Sequence, residues 1–178
     1  MIFVFCSIMF ILITLYRSQS DGSAAISCTG PRHASKPHST FSSFYPFYLR
    51  EHAHPTTKLY HAVGTTLVIL VVLFRQPWSI LSGTLALAVG YVLCDVLQGL
   101  SHGFYEFVAM IIVFGLSNCI TMHSMGLLPL FIGYGMAWYS HRFIERNQPA
   151  TFTYPAYSLL GDFYMWYGVV TGKFKVTV

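Results

Sequence analysis

Charged side chains are scarce in this chain: ten Lys and Arg and six Asp and Glu among 178 residues, 9% of the total. With 54% hydrophobic residues and a mean hydropathy of +0.57, that scarcity excludes a water-soluble domain of ordinary composition and points to a membrane protein. Cysteine is sparse too. Cys6, Cys28, Cys94 and Cys119 fall singly, most of them inside apolar runs, which excludes a disulfide framework and a zinc knuckle. The net charge of +4 gathers near the ends of apolar runs and forms no basic stripe, so no nucleic-acid partner is expected. The length allows one compact domain.

What is present is a series of apolar runs. Ile2 to Leu15 form the first, shorter than the ~20 residues a spanning helix usually needs. Its length, with Ser23, Ala24 and Ala25 downstream, fits a signal peptide, although a positively charged leading region is missing; an uncleaved anchor or a misplaced gene start are the alternatives. From Gln19 to Ser43 the composition turns to Ser, Gly, Pro, Thr and His, a linker with too little to bury. Residues 1–43 therefore read as an apolar segment plus disordered linker, 44–172 as a membrane-embedded helical domain, and 173–178 as a short basic tail.

Within that domain four apolar segments follow one another: Leu59 to Phe74, Trp78 to Leu97, Phe104 to Thr121 and Met125 to Tyr139. Connections as short as Arg75-Gln76-Pro77 imply antiparallel neighbours. The expected fold is all-α and polytopic, about four transmembrane helices in two antiparallel hairpins. The aromatic stretch Phe152 to Val170, with Pro155, Asp162 and two glycines, reads as an interfacial helix pair rather than a fifth span. With four crossings, one side holds Arg32, Lys36, Arg50, Lys58, Arg142, Arg146, Lys173 and Lys175, and the other holds Arg75, so both main flanks are expected to be cytosolic. An even number of crossings also returns His52, His54, His61, His102 and His141 to one interface, with His123 at the other.

Two constellations carry chemistry. In the first, His52 and His61 would face opposite ways on one helix, but Pro55 ends one helix near His52 and starts another, and the bend brings the two rings together. The bland reading makes His54 a helix cap and His61 a polar residue at a membrane boundary. In the second, His141 and Glu145 lie at i and i+4 on one face, able to supply two ligands to one ion or a ligand and the carboxylate that orients it. Here the bland reading is a solvated helix end, with Glu145 balancing Arg142 or Arg146. Asp95, inside an apolar run, is a functional suspect, with snorkelling to the interface or pairing with His102 as the bland alternatives.

Phe44-Tyr-Pro-Phe-Tyr with His52-x-x-Pro55 and His61, then Gly64-Thr65, Gly133-Tyr134-x-x-x-Trp138-x-x-His141-x-x-x-Glu145-x-Asn147-x-Pro149-Ala150-Thr151 and Ser158-Leu-x-Gly161-Asp162-Phe163, resembles the small membrane proteins related to the fungal 2-hydroxy fatty acid dioxygenase. The match runs from about Phe44 to Gly172. The resemblance implies an endoplasmic-reticulum enzyme that uses Fe(II) and O2 to shorten a 2-hydroxy fatty acid by one carbon in phytosphingosine breakdown. It implies His52, His61 and His141 as iron ligands, with Glu145 as fourth ligand or supporting carboxylate. Ser140 stands where the family usually has Gly, and His102 and His123 inherit no role.

That activity suits the bilayer. A fatty acyl chain partitions into lipid and leaves its carboxylate and 2-hydroxyl at the interface, where the histidines are expected; Lys58, Arg142 or Arg146 can pair with the carboxylate. The aromatic stretch from Phe152 to Tyr167 can wall the acyl chain. Membrane di-iron hydroxylases use more histidines at closer spacing, so a single metal is expected. The competing readings are a non-catalytic lipid-binding or lipid-organising protein and, less well supported, a histidine-lined transporter, for which Asp95 has no second acidic partner to form a relay.

Overall fold

The computed structural model describes residues 31–122 and 126–174, which leaves the first apolar run, the first half of the expected linker, His123 and the last residues of the basic tail outside it. Every element among the described residues is helical: α1 (Phe41–Glu51), α2 (Pro55–Phe74), α3 (Ser79–Val96), α4 (Phe104–Met122), α5 (Leu128–Ser140), a π-helical turn (His141–Glu145), a 3-10 turn (Ala150–Phe152) and α6 (Pro155–Val170).

Order begins earlier than composition implies. Thr40 caps α1 through a capping box with Ser43. Ahead of it, Ser35 Oγ donates to the Ser101 carbonyl at 2.7 Å and the His38 amide to the Tyr154 hydroxyl at 2.8 Å. Lys36, fully buried, pairs with Glu106 at 2.6 Å. A linker reading weighs only what a segment can bury; it overlooks a lysine whose stem and charge are both taken up by the folded domain.

The four apolar segments of the described domain each form a helix, and the punctuation works as its residues dictate. Pro55 opens α2 at its first turn, where a missing N–H costs nothing, and the His54 side chain caps it by accepting from the Thr56 amide. The body contacts differ from two sequential hairpins. α3 packs along α4, but α2 packs chiefly against α5, so the first of the four domain segments pairs with the last. A short loop holds helix ends close; which bodies pack is decided by shape, here by Gly64 of α2, whose Cα lies so near Met136 of α5 that an added Cβ would sit 3.0 Å from its Cβ.

α6 is the second difference. Rather than a helix pair, the C-terminal segment is a 3-10 turn and one helix that contacts α1, α2, α3 and α4, burying Tyr157, Ser158, Leu160, Gly161 and Met165. Its small residues admit neighbours on one side while Tyr154, Tyr157 and Leu160 join Phe41, Phe44 and Tyr48 of α1 in the main core. A second cluster unites Ala86, Met110, Phe114 and Ala156 from α3, α4 and α6.

The outer surfaces of the long helices are apolar. Val63, Leu67, Leu70 and Phe74 of α2, Leu81, Leu85, Val92 and Val96 of α3, and Ile112 and Leu116 of α4 are all exposed. α2 and α3 are long and apolar enough to cross a membrane, and less than a third of either is buried within the protein, unlike the core helix of a soluble domain.

Candidate metal centre

Three elements deliver one histidine each. His52 is the C-cap of α1, His61 lies in the second turn of α2, and His141 ends α5 where the π-helical turn begins. All three are buried, at 1%, 5% and 3% exposure. Their ligating nitrogens lie within 4.8 Å of one another. The rings stand nearly perpendicular, with interplanar angles of 84°, 77° and 85°.

The outer nitrogen of each ring is held. His52 Nδ1 lies 2.7 Å from the Tyr48 carbonyl, His61 Nδ1 2.7 Å from Asp162 Oδ1, and His141 Nδ1 2.7 Å from Asn147 Oδ1. Each partner accepts, so each Nδ1 carries the proton and donates, and each Nε2 turns a bare lone pair inward. His52 Nε2 and His141 Nε2 are 3.1 Å apart, and His61 Nε2 is buried without any partner. Three converging lone pairs repel in the absence of a cation and suit one that takes imidazole ligands. The residues present therefore fit a single metal ion.

Electrostatics keep the donors in the ligating form. Burial, with the neighbouring rings of His61 and His141, pushes His52 down to about 3, and burial likewise lowers His141. Burial opposes ionisation of Asp162, but His61 and the Tyr48 hydroxyl, which both donate to Oδ1, hold its carboxyl below the ordinary value. Burial and that carboxylate push Tyr48 well above the usual phenol, so it stays a donor.

The predicted residues part company here. His52, His61 and His141 come together; Glu145 does not join them. Its Oε1 accepts the His54 amide at 2.7 Å and ties the α1–α2 corner to the π turn. Asn147 makes a second tie, donating to the Glu51 carbonyl and carboxylate at 2.9 Å each while accepting from His141. Both depend on the π turn and on Arg146, whose left-handed backbone (φ 57°) sends the chain back toward the site. Lys58 donates to the Ala53 carbonyl at 3.2 Å; neither it nor Arg142 nor Arg146 lines the pocket over the histidines. Asp95 pairs with Arg32 at 3.7 Å rather than with His102, whose Nδ1 accepts the Phe104 amide at 3.3 Å.

The residue that sequence reasoning passed over is Asp162. A carboxylate within an apolar helix is costly unless used, and that signal, applied to Asp95, was equally available at Asp162. The pocket beside this cluster is small and is lined further by Tyr134, Ala137, Ala150, Thr151 and Ser158.

A family model described as "2-hydroxy-palmitic acid dioxygenase Mpo1-like" matches residues 38–174. No curated protein and no solved structure gives a match.

Proposed function

The chain belongs to the 2-hydroxy-palmitic acid dioxygenase Mpo1-like family, and from that premise we propose that it is an Fe(II)-dependent dioxygenase that shortens 2-hydroxy fatty acids by one carbon. The observation that carries the reading is the convergence of three Nε2 lone pairs from His52, His61 and His141, each with its Nδ1 proton held by an acceptor. His52, His61 and His141 would hold the ion. Bound Fe(II) supplies Lewis acidity toward substrate oxygens and one-electron chemistry with O2. Three protein ligands leave coordination positions for both, which a closed structural site does not. The overall change balances with O2 as sole oxidant: a 2-hydroxy acid and O2 give the acid one carbon shorter, carbon dioxide and water.

The protein's own groups do the positioning. Asp162 keeps the His61 proton on Nδ1, Asn147 does so for His141, and the Tyr48 carbonyl for His52, so no ring can flip its tautomer without losing a buried hydrogen bond. The exposed apolar faces of α2, α3 and α4 support a bilayer setting, with the acyl chain approaching from lipid; the four crossings rest on the apolar segments of the sequence and the endoplasmic reticulum on the family resemblance.

The test is metal analysis of detergent-purified protein, coupled to product analysis with 2-hydroxypalmitic acid. About one iron per chain is expected, with loss of the shortened acid on chelation and its return on adding Fe(II). Protein that binds no iron, or whose product formation ignores chelators, refutes the reading.

A further inference from the structure

The substrate's 2-hydroxyl needs a partner, and apart from the inward nitrogen of His61 the pocket holds one buried, unpartnered polar side chain. Ser158, 3% exposed, lines the histidine pocket with a buried Oγ that makes no hydrogen bond. Thr66, Thr84 and Thr171 satisfy their hydroxyls on their own backbone, on Ala62 at 2.8 Å, Ile80 at 2.8 Å and Tyr167 at 2.7 Å; Ser42 and Thr57 share the unpaired state of Ser158, but neither lines the histidine pocket. Ser158 has the same option in the Tyr154 carbonyl, which its own amide uses at 2.9 Å, yet its hydroxyl does not take it. An unpaired buried hydroxyl is destabilising, and a ligand that pairs it removes that penalty.

Ser158 precedes Asp162 by one helical turn, so the two share a face of α6. The pocket contains no Lys or Arg and one carboxylate, Asp162. Next to that carboxylate a neutral alcohol is the better neighbour, while the substrate's anion is drawn to the cation that the histidines would hold.

We propose that Ser158 is the specificity residue for the 2-hydroxyl group: the substrate's C2 hydroxyl donates to Ser158 Oγ, and its carboxylate lies away from Asp162. This rests on the dioxygenase reading and deepens it. A fatty acid without the hydroxyl leaves Ser158 unpaired, which is how a site rejects an analogue that lacks one polar group.

The experiment is binding of 2-hydroxypalmitic acid and of palmitic acid to the Fe(II)-loaded full chain in detergent, without oxygen so that nothing turns over. The unmodified protein is expected to prefer the hydroxy acid by about tenfold, and Ser158→Ala to lose that preference while keeping its iron and its affinity for palmitic acid. Ser158→Cys, close in volume but a poor hydrogen-bonding group, is expected to behave the same and separates lost recognition from a collapsed pocket. Retention of the full preference in either variant overturns the assignment and leaves the dioxygenase reading intact. An unmodified protein that neither converts nor prefers the hydroxy acid overturns both.

Discussion

At the scale of single residues, the histidines and the groups behind them have separable roles. His61→Ala and His141→Ala each remove an inward lone pair, and iron content is expected to fall below half an equivalent with product formation lost; metal analysis of the purified variants checks this. Asp162→Asn leaves every ring nitrogen in place but can present an amide N–H where His61 Nδ1–H needs an acceptor. Loss of such an orienting carboxylate typically costs about 10–100-fold in metal affinity or activity. A titration of Fe(II) against a competing chelator will show it, and a variant with unchanged affinity would reduce Asp162 to a packing role. Glu145→Gln keeps an oxygen for the His54 amide and is expected to retain iron.

At the scale of elements, the site depends on how α1, α2, α5 and α6 meet. Gly161 of α6 faces the Tyr48 ring, where an added Cβ would sit 3.0–3.1 Å from three ring carbons. Tyr48 cannot easily retreat, since it is buried against Phe44 and His52 and its hydroxyl donates to Asp162. Gly161→Ala is therefore expected to destabilise by about 1–3 kcal/mol, read as a lowered unfolding midpoint in detergent, and to weaken iron binding as well. The helix ends here were legible in the chain: Pro55 after His52 announces a break, and the break is where α1 gives way to α2. The π turn was not. Nothing in His141-Arg-Phe-Ile-Glu145 distinguishes it from a regular helix end, so an i, i+4 reading placed Glu145 beside His141, while the wider turn directs it to the α1–α2 corner instead.

At the scale of the molecule, two buried devices set stability. Lys36 and Glu106 are both fully buried, and Glu106 Oε2 has no partner. Lys36→Met strands the carboxylate and is expected to cost about 3–5 kcal/mol, whereas Lys36→Met with Glu106→Leu removes both charges and should recover most of it; thermal unfolding of the three proteins decides. Acid is the second lever. An unfolded histidine takes up a proton near pH 6.5, while native His52 stays neutral to about 3 and His141 is lowered too. Between those limits the unfolded chain binds more protons, so the metal-free protein loses stability as pH falls below about 6.5, and Asp162 adds a loss of the same sign below its ordinary carboxyl range. Unfolding midpoints that stay level from pH 7 to pH 5 would contradict this.

Sparse charge, four long apolar runs and proline placement were enough, without coordinates, to establish a helical chain with an apolar exterior and histidines at helix ends. These are local properties, set by how each residue partitions and what backbone it permits. Tertiary packing alone decided that α2 pairs with α5, that the aromatic C-terminal helix enters the core, and that Asp162 rather than Glu145 stands behind a ligand. Such choices depend on which surfaces fit when distant segments meet, and no window along the chain contains both surfaces.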